Sequence, residues 1–269
     1  MSLTGTRLDP ILASVRARAG ERRKRMSSVD LRRETKPDPA RRQRFVDALG
    51  QPGLTFLAEC KRASPSAGAI STEVDLLARA QAYADGGAHA VSVLTEQDHF
   101  QGAPGDLARV APAGLPRLRK DFILDEGMVM ESLAMGADAI LLMAVCLPGA
   151  LLGELAALAR ELGLATLAEA HDEAELERCL EIGADLIGVN ARDLKTFKVD
   201  LATVERLLPV IPSSALGGPL KVAESGILGP TELRRAQAAG ADVVLVGEAL
   251  MRAGDPAKTL REWREALDA

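Results

Sequence analysis

Four short phrases constrain the fold of this chain more than any other feature. Gly86-Gly87-Ala88, Gly136-Ala137-Asp138, Gly183-Ala184-Asp185 and Gly240-Ala241-Asp242 each stand where a helical pattern ends and an apolar run begins. Glycine closes a helix because it enters the left-handed backbone region at little steric cost. The recurring phrase therefore marks a recurring helix-to-strand junction, the rhythm of a βα unit. Around these junctions the candidate strands are 54–60, 88–94, 116–120, 139–143, 164–169, 186–190, 220–224 and 243–247. Apolar residues at helical spacing fill 74–83, 126–135, 151–162, 173–182 and 230–239. Eight strands alternating with helices predict a (β/α)8 barrel, a TIM barrel, over a single domain spanning 1–269. A doubly wound open sheet more often uses five or six strands and a Gly-rich dinucleotide turn. No G-x-G-x-x-G follows the first strand, so a nicotinamide or flavin site is not expected.

Some fifty residues precede the first strand. Leu8, Ile11, Leu12, Val15 and Ala19 recur at helical spacing over 8–25. Ser28, Asp30 and Pro37-Asp38-Pro39 interrupt that pattern, and a second short helix is expected over 42–49, ended by Gly50-Gln51-Pro52-Gly53. Residues 1–44 carry 13 Lys or Arg against 5 Asp or Glu, a balance of +8 that leaves −13 for the remainder. Arg22-Arg23-Lys24-Arg25 has no interleaved aromatics, so the basic leader reads as a solvated helix face rather than a nucleic-acid surface.

Composition narrows the classes further. An apolar fraction of 47%, drawn mainly from Ala, Leu and Val, suits helices packed on parallel strands. No run approaches the roughly 18 apolar residues that span a bilayer, and the first residues lack the basic-then-apolar pattern of a secretory signal. A cytoplasmic, monomeric protein with no membrane or nucleic-acid partner is expected. Cys60, Cys146 and Cys179, and likewise His89, His99 and His171, show no ligand spacing, so neither a metal nor a disulfide framework is predicted.

The stretch Leu57-Ala58-Glu59-Cys60-Lys61-Arg62-Ala63-Ser64-Pro65-Ser66 drives charges straight out of an apolar run. Period-two alternation puts Glu59 and Lys61 on one face, and Ala58 and Cys60 on the other. Taken alone, the pair could be an ion pair at the rim of a core. Other strands end alike, in Lys120, Glu169, Asn190 and Glu224-Ser225-Gly226. In a parallel barrel the carboxyl ends of the strands converge on one face, so these side chains form a candidate site. Ser225-Gly226 after strand seven and Gly247-Glu248 after strand eight suit a phosphate cradle, where glycine admits the backbone and a helix amino terminus favours an anion.

The residues resemble the indole-3-glycerol phosphate synthase family over nearly the whole chain. Ala58-Glu59-Cys60-Lys61-Arg62-Ala63-Ser64-Pro65-Ser66 and Leu118-Arg119-Lys120-Asp121-Phe122-Ile123-Leu124-Asp125-Glu126 are its most specific phrases here. Leu94-Thr95-Glu96, Gly188-Val189-Asn190-Ala191-Arg192-Asp193-Leu194, Val222-Ala223-Glu224-Ser225-Gly226-Ile227 and Val246-Gly247-Glu248-Ala249-Leu250-Met251-Arg252 add to them. Mild departures are Cys60, Ala67 and Ala103. The resemblance implies that residues 1–50 are helices covering part of the barrel mouth.

It also implies a phosphorylated small-molecule substrate, 1-(2-carboxyphenylamino)-1-deoxyribulose 5-phosphate, which is cyclised, decarboxylated and dehydrated without cofactor or metal. The implied catalytic residues are Lys120 as principal acid, Glu169 as base, Lys61 as a further acid and Glu59 as the group that holds the lysines charged. Asn190 and Glu224 would meet sugar hydroxyls, while Ser64 and Arg192 would meet the anthranilate carboxylate or support the residues that touch substrate. Phe100 and Phe122 would wall the ring, and Lys61, Ser225, Gly226, Gly247 and Glu248 would hold phosphate. Two rivals stand beside this reading. One is phosphoribosylanthranilate isomerase, which would use a strand-one cysteine and a strand-six aspartate; the other is a non-catalytic phosphate-binding barrel.

Overall fold

Eight parallel strands close on themselves in the computed structural model, each hydrogen-bonded to its sequence neighbours, with the last beside the first. They are β1 (Thr55–Cys60), β2 (Ala90–Leu94), β3 (Arg117–Lys120), β4 (Ala139–Met143), β5 (Ala165–Ala170), β6 (Leu186–Asn190), β7 (Leu220–Glu224) and β8 (Val243–Val246). In register, Ala58 pairs with Val246 across the closing seam and Glu59 with Ser92 on the other side. The structure describes residues 5, 7–25, 30, 32–33, 36–64, 68–69 and 75–268, with only the backbone at Arg23, Arg25, Ser64, Gly68, Ala69 and Asp268. Ser28, the Ser64 side chain, Ser66, Ala67 and the start of the helix expected at 74–83 thus lie outside the described residues.

Helices follow the strands and cover them. They are α1 (Asp9–Arg25), α2 (Pro39–Leu49), α3 (Leu76–Asp85), α4 (Asp106–Arg109), α5 (Glu126–Ala134), α6 (Leu151–Leu162), α7 (Glu173–Glu181), α8 (Ala202–Leu207), α9 (Pro230–Ala238), α10 (Glu248–Arg252) and α11 (Pro256–Asp268). Because both faces of each strand are covered, β1, β2, β4 and β5 are buried along their whole length. This is why they read as continuous apolar runs rather than alternating ones.

The junction phrase has a finer grain than the sequence suggested. It precedes only the even strands β2, β4, β6 and β8, so the repeating element is a pair of βα units. Gly87, Gly136, Gly183 and Gly240 all take positive φ, between +62° and +88°. The first phrase therefore aligns as Gly87-Ala88-His89, with His89 in the position of the aspartates. Those side chains do one job. Asp138 Oδ2 accepts the Arg117 N–H (2.8 Å), Asp185 Oδ2 that of Thr166 (3.0 Å), and Asp242 Oδ2 that of Lys221 (2.8 Å). His89 Nδ1 accepts the Phe56 N–H at 3.1 Å. Each ties the start of an even strand to the start of the odd strand before it, satisfying a backbone donor that would otherwise be orphaned.

The leader splits between the two ends of the barrel. The turn into α1 and its first residues reach the carboxyl end of the strands, where Leu8 and Ile11 line the central cavity. Arg18 pairs there with Glu96 at 2.6 Å and Arg22 with Glu131 at 2.9 Å. By contrast α2 packs at the amino end, where Arg44 meets Asp138 at 2.5 Å, Arg42 meets Asp185, and Phe45 and Leu49 are fully buried. Among the described residues of the leader, then, it is the start of the first helix that reaches the mouth. Both an apolar anchor and charge hold α2 at the amino end, since Phe45 and Leu49 are buried and two of its arginines complement the junction aspartates Asp138 and Asp185. It also begins three residues earlier than the sequence pattern indicated, because Asp38 caps it and Pro39 occupies its first turn, where a missing N–H costs nothing.

Candidate active site

At the carboxyl end of the strands lies a cavity of about 620 Å³. Thirteen of the fourteen predicted site residues line it, namely Glu59, Lys61, Phe100, Lys120, Phe122, Glu169, Asn190, Arg192, Glu224, Ser225, Gly226, Gly247 and Glu248. The fourteenth is Ser64, whose side chain is not described. Strand parity explains the gathering, since alternate residues at strand ends face the barrel axis. Lys120 points inward, whereas its neighbour Arg119 points outward and is consumed by structure. Arg119 donates to Ser132 Oγ and the Met128 carbonyl on α5 (both 3.0 Å) and to Asp121 (2.9 Å).

An ionic cluster occupies the cavity floor. Lys120 Nζ bridges two acids, at 2.9 Å from Glu169 Oε2 and 2.7 Å from Glu224 Oε2. Lys61 Nζ sits 2.6 Å from Glu59 Oε1. Asn190 Nδ2 donates to Glu169 Oε1 at 3.2 Å, while its own Oδ1 accepts the Arg192 N–H at 3.0 Å. Burial works against the charge on Lys120, but Glu169, Glu224 and Glu59 outweigh it and raise its pKa. The two acids respond to their surroundings in opposite ways. Burial raises both, yet Lys120 and His171 hold Glu169 well below the usual carboxylate range. On Glu224, burial and the nearby Glu169 charge prevail over Lys120 and lift it to about 8. Two carboxyls pushed apart in this way form an acid–base pair in the making.

Two glycines make room for the cluster. A methyl group at Gly188, which pairs with Glu169 in register, would collide with the Glu224 carboxylate. At Gly247 it would collide with Glu59 and come within 2.9 Å of Lys61 Nζ. A glycine inside a strand signals such close approach, and Gly188 could have been read that way from sequence. Gly247 leads directly into α10, so Lys61 stands beside the amino end of that helix. Glu248 turns its carboxylate to Arg252 one turn along, at 3.2 Å. Ser225 and Gly226 have successive positive φ values of 67° and 78°, a left-handed turn that glycine enters at little steric cost.

Phe100 and Phe122 face each other with centroids 6.3 Å apart and planes tilted by 47°. The loop bearing Phe100 is fixed by a residue outside the predicted set. Glu96, 1% exposed, accepts the N–H groups of Asp98, His99 and Phe100 and pairs with Arg18 of α1. The Arg192 guanidinium donates to the Phe197 carbonyl at 3.2 Å, which commits it to its own loop. Phe197 lines the cavity with a positive φ of 62°, held by Arg7 over its ring at 5.2 Å. Cys60 faces α3, and burial together with the Glu59 charge pushes its thiol up to about 12. Among the described residues no cluster of three His, Cys, Asp or Glu could hold a metal, and no helix is long and apolar enough to cross a membrane.

Comparison with known proteins places the chain in a family. An indole-3-glycerol phosphate synthase of Streptomyces coelicolor is 43% identical over 93% of this chain and 96% of its own length. The enzymes of that name from Mycolicibacterium smegmatis and Mycobacterium tuberculosis are 43% and 44% identical, over 94% and 93% of this chain and 92% and 91% of theirs. Thiamine phosphate pyrophosphorylase from Pyrococcus furiosus superposes with a TM-score of 0.56 over 84% of this chain and 97% of that one; at 17% identity it speaks for the fold alone. The sequence model of the indole-3-glycerol phosphate synthase family matches residues 8–263. The chain belongs to the indole-3-glycerol phosphate synthase family.

Proposed function

We propose that this chain closes the ring of 1-(2-carboxyphenylamino)-1-deoxyribulose 5-phosphate and releases carbon dioxide and water to form indole-3-glycerol phosphate, as a monomer in the cytoplasm. The observation that carries the reading is Lys120 bridging Glu169 and Glu224 at the floor of the cavity.

Ring closure joins the carboxylate-bearing carbon of the anthranilate ring to the ketone carbon. The ketone oxygen gains negative charge as the bond forms, and the Lys120 ammonium meets it, first as a charged donor and then as the proton source. The substrate nitrogen, now an iminium, receives the electron pair left by departing carbon dioxide, so the electron sink is the substrate's own. Dehydration then removes a proton from the carbon beside nitrogen and expels the new hydroxyl as water. Glu169, held ionised, takes that proton, and Lys61 or Lys120 protonates the hydroxyl. Glu59 keeps Lys61 charged and in place. Asn190 and Glu224 meet the sugar hydroxyls, and Glu224, largely protonated at neutral pH, can donate as well as accept.

Phosphate is held by Lys61 and by the backbone amides of Ser225, Gly226, Gly247 and Glu248. Turning the Glu248 carboxylate to Arg252 lessens its repulsion of that ligand. Phe100 and Phe122 wall the anthranilate ring, and its carboxylate lies toward Ser64 and the Arg192 segment. A cysteine-based isomerase is disfavoured because Cys60 faces α3 with a raised pKa, and strand six ends in Asn190 rather than an acid. Incubating the purified protein with the carboxyphenylamino substrate should generate indole fluorescence and one carbon dioxide per product. Absence of both would refute the assignment.

A further inference from the structure

Glu169 has a partner on the side away from Lys120. His171 follows β5, two residues on and of the same parity, with its side chain only 10% exposed. Its Nε2 lies 3.2 Å from Glu169 Oε1, an ion-pair contact rather than an aligned hydrogen bond. The ring cannot turn freely. Nδ1 is 2.9 Å from Glu175 Oε2, and the His171 backbone N–H donates to that same oxygen at 2.9 Å. Glu175 lies in the first turn of α7, where its own N–H is held by the capping Asp172 at 2.9 Å. Glu169, His171 and Glu175 thus form a line from the cavity floor to the helix behind it.

The two acids on Lys120 are otherwise alike. Both are 1% exposed, and Lys120 approaches both within hydrogen-bond distance. One ammonium cannot neutralise two buried carboxylates, so one must carry a proton. Symmetry is broken on the far side, where Glu169 Oε1 has His171 and Asn190 while Glu224 Oε1 has no hydrogen-bond partner among the described residues. We infer that His171 is a positioning residue that, as an imidazolium held by Glu175, selects Glu169 rather than Glu224 as the ionised base of the reaction. This rests on the reading of Glu169 as that base.

Other charged groups do not provide the asymmetry. Around Glu169 stand Lys120 from β3 and Glu224 from β7, with the thiols of Cys146 and Cys179, which burial keeps neutral. Near Glu175 the charged neighbours are Arg178 on α7, with Asp9 and Arg16 on α1 around Cys146. Although burial favours the neutral ring, Glu169 and Glu175 raise the His171 pKa to about 10, consistent with a resident cation.

Carboxyl-carbon NMR titration of protein labelled at glutamate, with Glu169→Gln and Glu224→Gln as assignments, reads the proton's location without turnover. In H171Q the Glu169 titration should move up by about one unit or more and that of Glu224 down. The acid limb of kcat/KM should rise by the same amount, with KM little changed. Glu175→Gln should move each in the same direction by less, and lower the His171 titration itself; it serves if H171Q does not fold. Unchanged carboxyl titrations in a folded H171Q, or in Glu175→Gln where that is the variant available, would overturn the selection. Retained turnover in Glu169→Gln would instead overturn the base reading, and with it the catalytic half of the proposal.

Discussion

The two ends of this barrel use the same residue types for opposite purposes. At the amino end, Asp138, Asp185 and Asp242 accept backbone N–H groups, and arginines of α2 meet the first two. There each carboxylate is matched to fixed partners, and the interaction contributes stability. At the carboxyl end, Lys120 is divided between two acids and Glu224 Oε1 has no hydrogen-bond partner among the described residues. An incompletely matched buried charge is costly, and substrate can supply what the protein omits. The difference teaches that partnering, rather than burial or residue type, separates structural from chemical charge in this fold.

The largest test falls on the carboxyl end. Lys120→Ala should lower kcat/KM by about 10³-fold or more, measured by indole fluorescence on the folded variant. Turnover near that of the parent would remove Lys120 from the chemistry. Gly188→Ala adds one methyl group against Glu224 and should cost roughly 10²-fold in kcat through misplacement of the acid. A parental rate there would mean that the cluster is not held to close tolerance.

At the other end the expected loss is stability. Asp138→Ala strands the Arg117 N–H and the Arg44 guanidinium, and should cost about 2 kcal/mol in urea unfolding with kcat of the folded enzyme unchanged. A loss of activity at full stability would erase the contrast between the ends.

Two pH effects sharpen it further. Glu224 has a folded pKa raised to about 8, above its unfolded value. Its stabilising contribution is therefore complete below the unfolded pKa and is lost as pH rises through about 8. Wild type should accordingly lose stability relative to Glu224→Gln between pH 5 and 9, on the order of 1 kcal/mol, as read by denaturant midpoints. His89 behaves oppositely, because burial and the Arg264 charge lower its pKa. Its contribution is present above the unfolded pKa and lost as pH falls. Wild type should lose about 0.5 kcal/mol relative to His89→Asp from pH 7 to 5; parallel stability curves would show that His89 does not stand in for the aspartates.

Much of this was readable along the chain because it is local. Strand parity paired Glu59 with Lys61, the position at strand ends gathered Lys120, Glu169, Asn190 and Glu224 beside them, and β4 and β6 run over the expected residues. What the pattern missed was also partly local. His171 shares the parity of Glu169 and has Glu175 four residues on, and Gly188 interrupts a strand of apolar residues. Their meaning is invisible without the groups they face.

Sequence alone determined the barrel, since eight alternating runs joined by left-handed glycines leave the chain few other ways to bury its apolar faces. It determined too which charges reach the mouth, because direction alternates residue by residue along a strand. Only the tertiary structure decided that Lys120 serves two acids 49 and 104 residues away, that α2 packs at the amino end, and that Glu169 and Glu224 hold their protons differently. Proton affinity depends on through-space charge and burial, and neither is a property of sequence distance.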